Sequence, residues 1–200
     1  MSLFLHKSIS MISLPNNKNL EPTGFASGSK APPSVPMDRN GESSSVGVEK
    51  TIWELLETVC DPEVPVLSIL DLGIVRDVKL DDSNIEVIIT PTYSGCPAMD
   101  MITMNIRMAL LEYGFTNVKI TSVLSPAWTT DWMTEAGKQK LVEYGIAAPN
   151  KKFTIPADGV ECPLCHSNNT RLVSEFGSTA CKALCQCNDC LEPFDYFKCH

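Results

Sequence analysis

Hydrophobic positions along the chain become periodic only from about residue 49. Ile52, Leu55, Leu56 and Val59 recur at the i, i+3, i+4, i+7 spacing of an amphipathic helix. The helix should stop at Asp61-Pro62, because a residue before proline avoids the helical region. A stiff loop, Asp61-Pro62-Glu63-Val64-Pro65-Val66, follows. Residues 74–80 and 85–90 then read as two strands of a hairpin, joined at Asp81-Asp82-Ser83-Asn84, residue types that suit tight turns. A second helix is expected from Pro97, with Met99, Ile102, Ile106, Ala109, Leu110 and Tyr113 on one face and Gly114 as its stop. Val118, Ile120, Ser122 and Leu124 alternate as a third strand, which Pro126 breaks. A third helix is expected over residues 134–144, closed by Gly145.

The order α-β-β-α-β-α predicts a small three-stranded α+β domain over residues 49–148. Residues 149–160 read as a linker and residues 161–200 as a cysteine-rich, zinc-ribbon-like module. Residues 1–48 are rich in Ser, Asn, Pro and Gly without hydrophobic period. They read as a disordered arm, unable to bury enough apolar area to offset the entropy of ordering.

The formal net charge of −8 disfavours phosphate backbones, and no Lys/Arg cluster argues for nucleic acid or an anionic membrane as partner. No stretch approaches the roughly 20 apolar residues of a transmembrane helix. His6 and Lys7 interrupt any secretory apolar run. The expected setting is a reducing cytoplasm.

Seven of nine cysteines fall between Cys162 and Cys199. Cys162-Pro163-Leu164-Cys165 and Cys187-Asn188-Asp189-Cys190 are two CxxC knuckles, each of which points two thiolates at one ion. Together they give a tetrahedral four-sulfur site, and structural zinc is the leading expectation. A pair of disulfides and an iron–sulfur cluster are the alternatives. The segment is too small to fold on hydrophobic burial alone, so the metal would supply its folding free energy. Cys181 and Cys185, with Cys199 and His200, are less certain further ligands. His166 reads as a supporting or surface residue, and His6 carries no weight.

Cys96 lies at a strand-to-helix junction, in Tyr93-Ser94-Gly95-Cys96-Pro97. With Pro97 at the first helical position, Cys96 falls at or near the N-cap, where the helix dipole and free N–H groups favour a thiolate. It reads either as a reactive thiol of lowered pKa or as a small packing residue. Asp61 and Glu63 are either fixed carboxylates facing Cys96 or simple capping groups. Cys60 reads as packing at the end of the first helix's apolar face. Trp128 and Trp132 are either core or the lining of a pocket or partner surface.

Asp61-Pro62-Glu63-Val64-Pro65-Val66, Asp71-Leu72-Gly73-Ile74-Val75 and Ser94-Gly95-Cys96-Pro97 resemble the MIP18/SufT-like domain of iron–sulfur assembly proteins. Three longer stretches narrow the resemblance: residues 91–99, residues 125–132 (Ser125-Pro126-Ala127-Trp128-Thr129-Thr130-Asp131-Trp132), and the tail at residues 176–184 and 192–200. Over residues 49–200 the chain resembles the PaaD family of phenylacetate-degradation proteins. That resemblance implies an accessory role beside a di-iron oxygenase that epoxidises the ring of phenylacetyl-CoA. The implied partners are the oxygenase and the flavin and iron–sulfur reductase subunits. It also implies Cys96 as the reactive cysteine, with Asp61 as its partner.

The chain has no Glu-x-x-His pair and no dinucleotide glycine fingerprint, so epoxidation and electron input are not expected of it. The leading expectation is a non-catalytic maturation factor, in which Cys96 transiently holds iron or an iron–sulfur cluster and the ribbon docks the client. A stable structural or coupling subunit of the oxygenase is the second reading. A thiol enzyme is the third, weakened by three poorly placed histidines.

Overall fold

A computed structural model of the chain describes residues 45–81, 84–149 and 159–198. The remainder of the expected arm, most of the expected linker, and His6, Cys199 and His200 lie outside the described residues. The first apolar stripe forms α1 (Ser45–Glu57), which begins four residues before the expected boundary. Ile52 and Leu56 are fully buried on its inner face. Cys60 does not continue that face. The helix has already ended, and Cys60 is exposed and bridged to Ser68, contrary to the packing role expected of it.

The expected α-β-β-α-β-α order is realised. Strands β1 (Val75–Asp81) and β2 (Asn84–Ile89) pair antiparallel, while β3 (Val118–Ser122) lies parallel to β2, giving sheet order β1-β2-β3. The parallel pairing needs a crossover, supplied by α2 (Ala98–Tyr113). Ala98, Ile102, Ile106 and Leu110 form its buried stripe, and Gly114 ends it at a φ of 111°. Leu124 falls beyond β3 and is exposed, which shortens the expected third strand. A 3-10 turn (Thr130–Trp132) leads to α3 (Glu135–Glu143), whose cap Thr134 accepts the Gly137 N–H at 2.9 Å.

The loop between α1 and β1 is part of the core. Val64, Leu67, Ile69, Leu72 and Ile74 are each at most 1% exposed and pack with the helices and sheet. Each such side chain contributes about 1.5–3 kcal/mol of burial. The segment that carries Asp61 and Glu63 is therefore anchored along its length.

Beyond α3 the chain turns at Gly145 into β4 (Ile146–Ala147). The cysteine-rich module adds β5 (Thr170–Ser174), β6 (Lys182–Cys187) and β7 (Pro193–Phe197), an antiparallel set. The short β4 joins its edge, parallel to β7, so the second sheet runs β4-β7-β6-β5. A small core of Val160, Ala183, Phe194 and Tyr196 lies against Cys162, Cys185 and Cys187. Phe197 and Cys181 belong instead to the main core. Among the described residues, no helix is long and apolar enough to cross a membrane.

Thr90, 1% exposed just past β2, has a buried hydroxyl without a hydrogen-bond partner among the described residues. Replacing an unsatisfied buried hydroxyl with a methyl of the same shape removes a desolvation cost. Thr90→Val should raise stability by about 1 kcal/mol in urea denaturation. A loss of similar size would mean that the hydroxyl is satisfied.

Candidate metal centre and thiol site

Two knuckles bring four thiols to one point. The Sγ atoms of Cys162, Cys165, Cys187 and Cys190 all lie within 4.8 Å of one another. Cys162 and Cys190 are 3.8 Å apart, and Cys165 and Cys187 are 3.5 Å apart. A tetrahedral tetrathiolate with about 2.3 Å metal–sulfur bonds has sulfurs about 3.8 Å apart, so the set fits one ion. These separations are far beyond a disulfide bond of about 2.05 Å, and the cysteines are free.

The knuckles are built alike. In each, the first cysteine's N–H donates to a carbonyl five residues on: Cys162 to Ser167 at 2.9 Å, and Cys187 to Glu192 at 3.1 Å. In each, the residue after the second cysteine takes a left-handed conformation: φ is 61° at His166 and 66° at Leu191. Neither is glycine, so each costs about 1–2 kcal/mol of backbone strain. That strain is held in place by the closed turn. The Cys190 N–H points at Cys187 Sγ, 3.5 Å away, and is the main reason the Cys187 thiol is lowered, while its neighbours Cys165 and Cys190 are raised, as expected where adjoining thiols share a proton. His166 is exposed and pairs its Nδ1 with Glu161 at 2.9 Å, as befits a surface residue.

Cys96 sits one residue before Pro97, the N-cap of α2. The Ala98 N–H and the Thr92 hydroxyl do favour its thiolate. Burial outweighs them, and the nearby charges of Asp61 and Glu63 add to it, so the thiol is pushed up rather than down. The helix-end effect expected from the sequence is present but loses to desolvation. Asp61 is 9% exposed, and its Oδ1 accepts the N–H groups of Glu63 at 2.8 Å and Val64 at 2.9 Å. Burial nevertheless raises its carboxyl above the usual value. Both carboxylates and Cys96 thus share one neighbourhood.

Cys181 does not lie with the four clustered thiols. It is buried against the α+β core, and its Sγ donates to Glu63 Oε2 at 3.5 Å. Burial pushes its thiol up to about 11. Cys185 points into the ribbon's own core, and burial likewise raises it to about 11. Trp128 is core, 4% exposed, with Nε1 donating to Leu72 O at 2.8 Å and its ring edge-on to Phe197 of β7. Trp132 is half-buried under the Arg76 guanidinium, 3.6 Å from the ring centre.

Two family models match the chain: "Iron-sulfur cluster assembly protein" over residues 49–121, and "PaaD zinc beta ribbon domain" over residues 147–198. The chain is 52% identical to a 1,2-phenylacetyl-CoA epoxidase component of Escherichia coli (strain K12), over 74% of this chain and 91% of that one. The chain belongs to the PaaD family. An Fe-S protein maturation auxiliary factor of Porphyromonas gingivalis is 37% identical over 46% of this chain and 90% of its own. A crystal structure of a domain of unknown function (DUF59) from Bacillus anthracis covers 46% of this chain and 90% of its own, at 30% identity and a TM-score of 0.43.

The PaaD ribbon match begins inside β4, the strand that the α+β domain lends to the ribbon sheet. The assembly-protein match contains Asp61, Glu63 and Cys96. The Glu63–Cys181 contact joins the two matched regions across 118 residues, and sequence reasoning misses it. The one available hint is negative: Cys181 falls outside the CxxC spacing.

Proposed function

We propose that this PaaD-family chain is an accessory maturation protein of a phenylacetyl-CoA epoxidase system. Its assembly domain takes up iron or an iron–sulfur unit at Cys96, and its ribbon, closed by one zinc, presents that cargo to the oxygenase or reductase subunits. The observation that carries this reading is the pairing of a half-buried thiol, under the charges of two carboxylates, with a four-thiol ribbon, in a chain 52% identical to an epoxidase component.

The same chemistry argues against a thiol enzyme. A nucleophilic cysteine needs a thiolate near neutral pH. The Cys96 thiol is raised, and its charged neighbours are anions that oppose the thiolate instead of a histidine that would take its proton. A soft metal ion can displace that proton directly, so a raised thiol still serves metal transfer.

The test is complementation of a deletion strain with Cys96→Ala. Growth on phenylacetate should be abolished, while far-UV circular dichroism and ribbon zinc stay unchanged. The epoxidase complex from those cells should be iron-poor. Full growth with normally loaded iron would remove Cys96 from the function.

The Escherichia coli relative is named as part of the epoxidase itself, which favours a second reading, a stable coupling component of the complex. It predicts stoichiometric co-purification of the chain with the rest of the epoxidase, which a maturation factor would not show.

A further inference from the structure

Helix α2 has two apolar faces, and the core uses one of them. Ala98, Ile102, Ile106 and Leu110 are its buried stripe. Met101, Met104, Met108 and Leu111 recur at helical spacing as a second stripe, and each is between 47% and 57% exposed. Pro97, also exposed, continues that stripe past the helix start. At about 100° per residue, the second stripe falls opposite the buried one and faces outward. Surface apolar residues scattered singly need no account, but four large ones in a row along one helix form a contiguous patch.

The charges beside the patch say what fits it. Asp100 and Arg107 are exposed and flank the stripe on the same side, about 20° apart around the helix. They stand about 10 Å apart along it, too far to pair with each other. Among the described residues neither takes part in an ion pair. A flank with one acid and one base complements itself when turned end for end. Consider two α2 helices antiparallel, with the two-fold axis level with the gap between residues 103 and 104. Asp100 of each copy then stands level with Arg107 of the other. The apolar residues interleave in that same register: the two Met104 side chains adjoin at the axis, Met101 falls between Met104 and Met108 of the other copy, and Leu111 meets Pro97. Glu112 comes level with Gly95 of the other copy, at the positive end of that helix. Sliding one copy by a heptad keeps the interleaving but opposes Arg107 to Arg107 in one direction and Asp100 to Asp100 in the other. Charge therefore selects the first register.

We propose that the outer face of α2 is a self-complementary docking surface, on which a second copy of this chain pairs through an antiparallel α2–α2 contact. Two-fold symmetry makes each contact twice, so both flanking charges of both copies are used. The methionines suit such a face, because their flexible side chains repack between the solvated and the paired state. A single helix face about 24 Å long falls short of the roughly 800 Å² per partner of a standard interface, so the dimer exchanges with monomer. The two Cys96 thiols lie near opposite ends of the pair, about 20 Å apart along the helix axes. Each copy therefore keeps its own thiol site. The pairing goes beyond the maturation reading and stands without it.

The experiment is sedimentation equilibrium on the full-length, zinc-loaded chain over a concentration series, in reducing buffer at low salt. Wild type should show a reversible monomer–dimer equilibrium. Asp100→Arg and Arg107→Asp each turn two attractions into two repulsions, and each should weaken dimerisation at least about tenfold. The double variant, Asp100→Arg with Arg107→Asp, restores opposite charges across the axis and should dimerise within about threefold of wild type. Met104→Glu sets two carboxylates together at the axis and should leave the chain monomeric.

Far-UV circular dichroism and retained zinc check that each variant is folded. Should Met104→Glu misfold, the charge reversals and their rescue decide alone. A wild type that stays monomeric at every concentration would overturn the proposal, as would a dimer that Met104→Glu leaves intact. A double variant that dimerises no better than the single ones would overturn the antiparallel pairing. A monomeric chain that loses co-purification with the epoxidase in Met104→Glu would also overturn it, and would give the face to that complex.

Discussion

Cys162→Ala should cost the chain its bound metal and unfold the ribbon while leaving the α+β domain folded. Cys162 is fully buried, and its sulfur is one of four that converge within 4.8 Å. Structural zinc sites of this kind carry apparent binding energies of about 10–16 kcal/mol at pH 7, and that energy is folding energy. Beyond its cysteines, the ribbon's own core is little more than Val160, Ala183, Phe194 and Tyr196, too little to hold a sheet unaided. The check is metal content with hydrogen exchange. Amides of β5 and β6 should lose protection entirely, whereas α1, α2 and β2 should exchange as in wild type. Strand β7 should retain partial protection, because β4 pairs with it and Trp128 packs on Phe197 from the other side. One equivalent of metal with wild-type protection in β6 would mean that the four-thiol assignment is wrong.

That contrast follows from what local sequence encodes. The cluster of four thiols is legible because CxxC is a local geometry: two thiols three residues apart can face one point with no help from the rest of the chain. The left-handed residues that close the knuckles are not legible. Glycine would have marked them, and the chain has His166 and Leu191 there. Cys96 shows the limit more sharply. Its place beside a helix N-terminus can be read from Pro97, and that local effect favours a thiolate. Its actual shift is set by burial and by Asp61 and Glu63, which arrive from more than thirty residues away in the chain. The Glu63–Cys181 contact has no local signature at all.

The fold divides along the same line. Helices α1 and α2 are legible because each has a full apolar stripe, and Gly114 and Thr134 punctuate the chain as capping chemistry requires. From the sequence, residues 61–66 read only as a stiff loop. They and the residues up to Ile74 prove to hold deeply buried side chains, which the sequence does not reveal because their apolar positions follow neither the helical nor the strand period. The two-residue β4 escapes the sequence because so short a strand has no period; its partner β7 stabilises it.

Gly73→Ala should be the most damaging single-methyl change in the α+β domain. Gly73 has a φ of 65°, in the left-handed region. A Cβ there would meet Trp132 O at 2.3 Å, with the Trp132 carbonyl carbon and Cβ both at 2.8 Å. The obstructing atoms are mostly backbone, and that backbone is tied: the Trp132 N–H donates to Thr129 O at 3.0 Å within the 3-10 turn. The glycine side is tied too, by Gly73 N–H to Leu70 O at 2.9 Å and by Leu72 O accepting Trp128 Nε1 at 2.8 Å. Neither segment can withdraw without breaking a hydrogen bond. A left-handed alanine costs about 1–2 kcal/mol and overpacking about 1–3 kcal/mol more. The expected loss is about 2–5 kcal/mol, or roughly 10 °C in Tm for a domain of this size. The damage should also travel. Trp128 carries the edge contact to Phe197, so displacing the turn loosens the seam where Glu63 meets Cys181. Hydrogen exchange at β7 should therefore rise in Gly73→Ala even with the ribbon metal in place. A Tm within about 2 °C of wild type would show that the Trp132 turn gives way freely, and the seam would then owe its geometry to the ribbon alone.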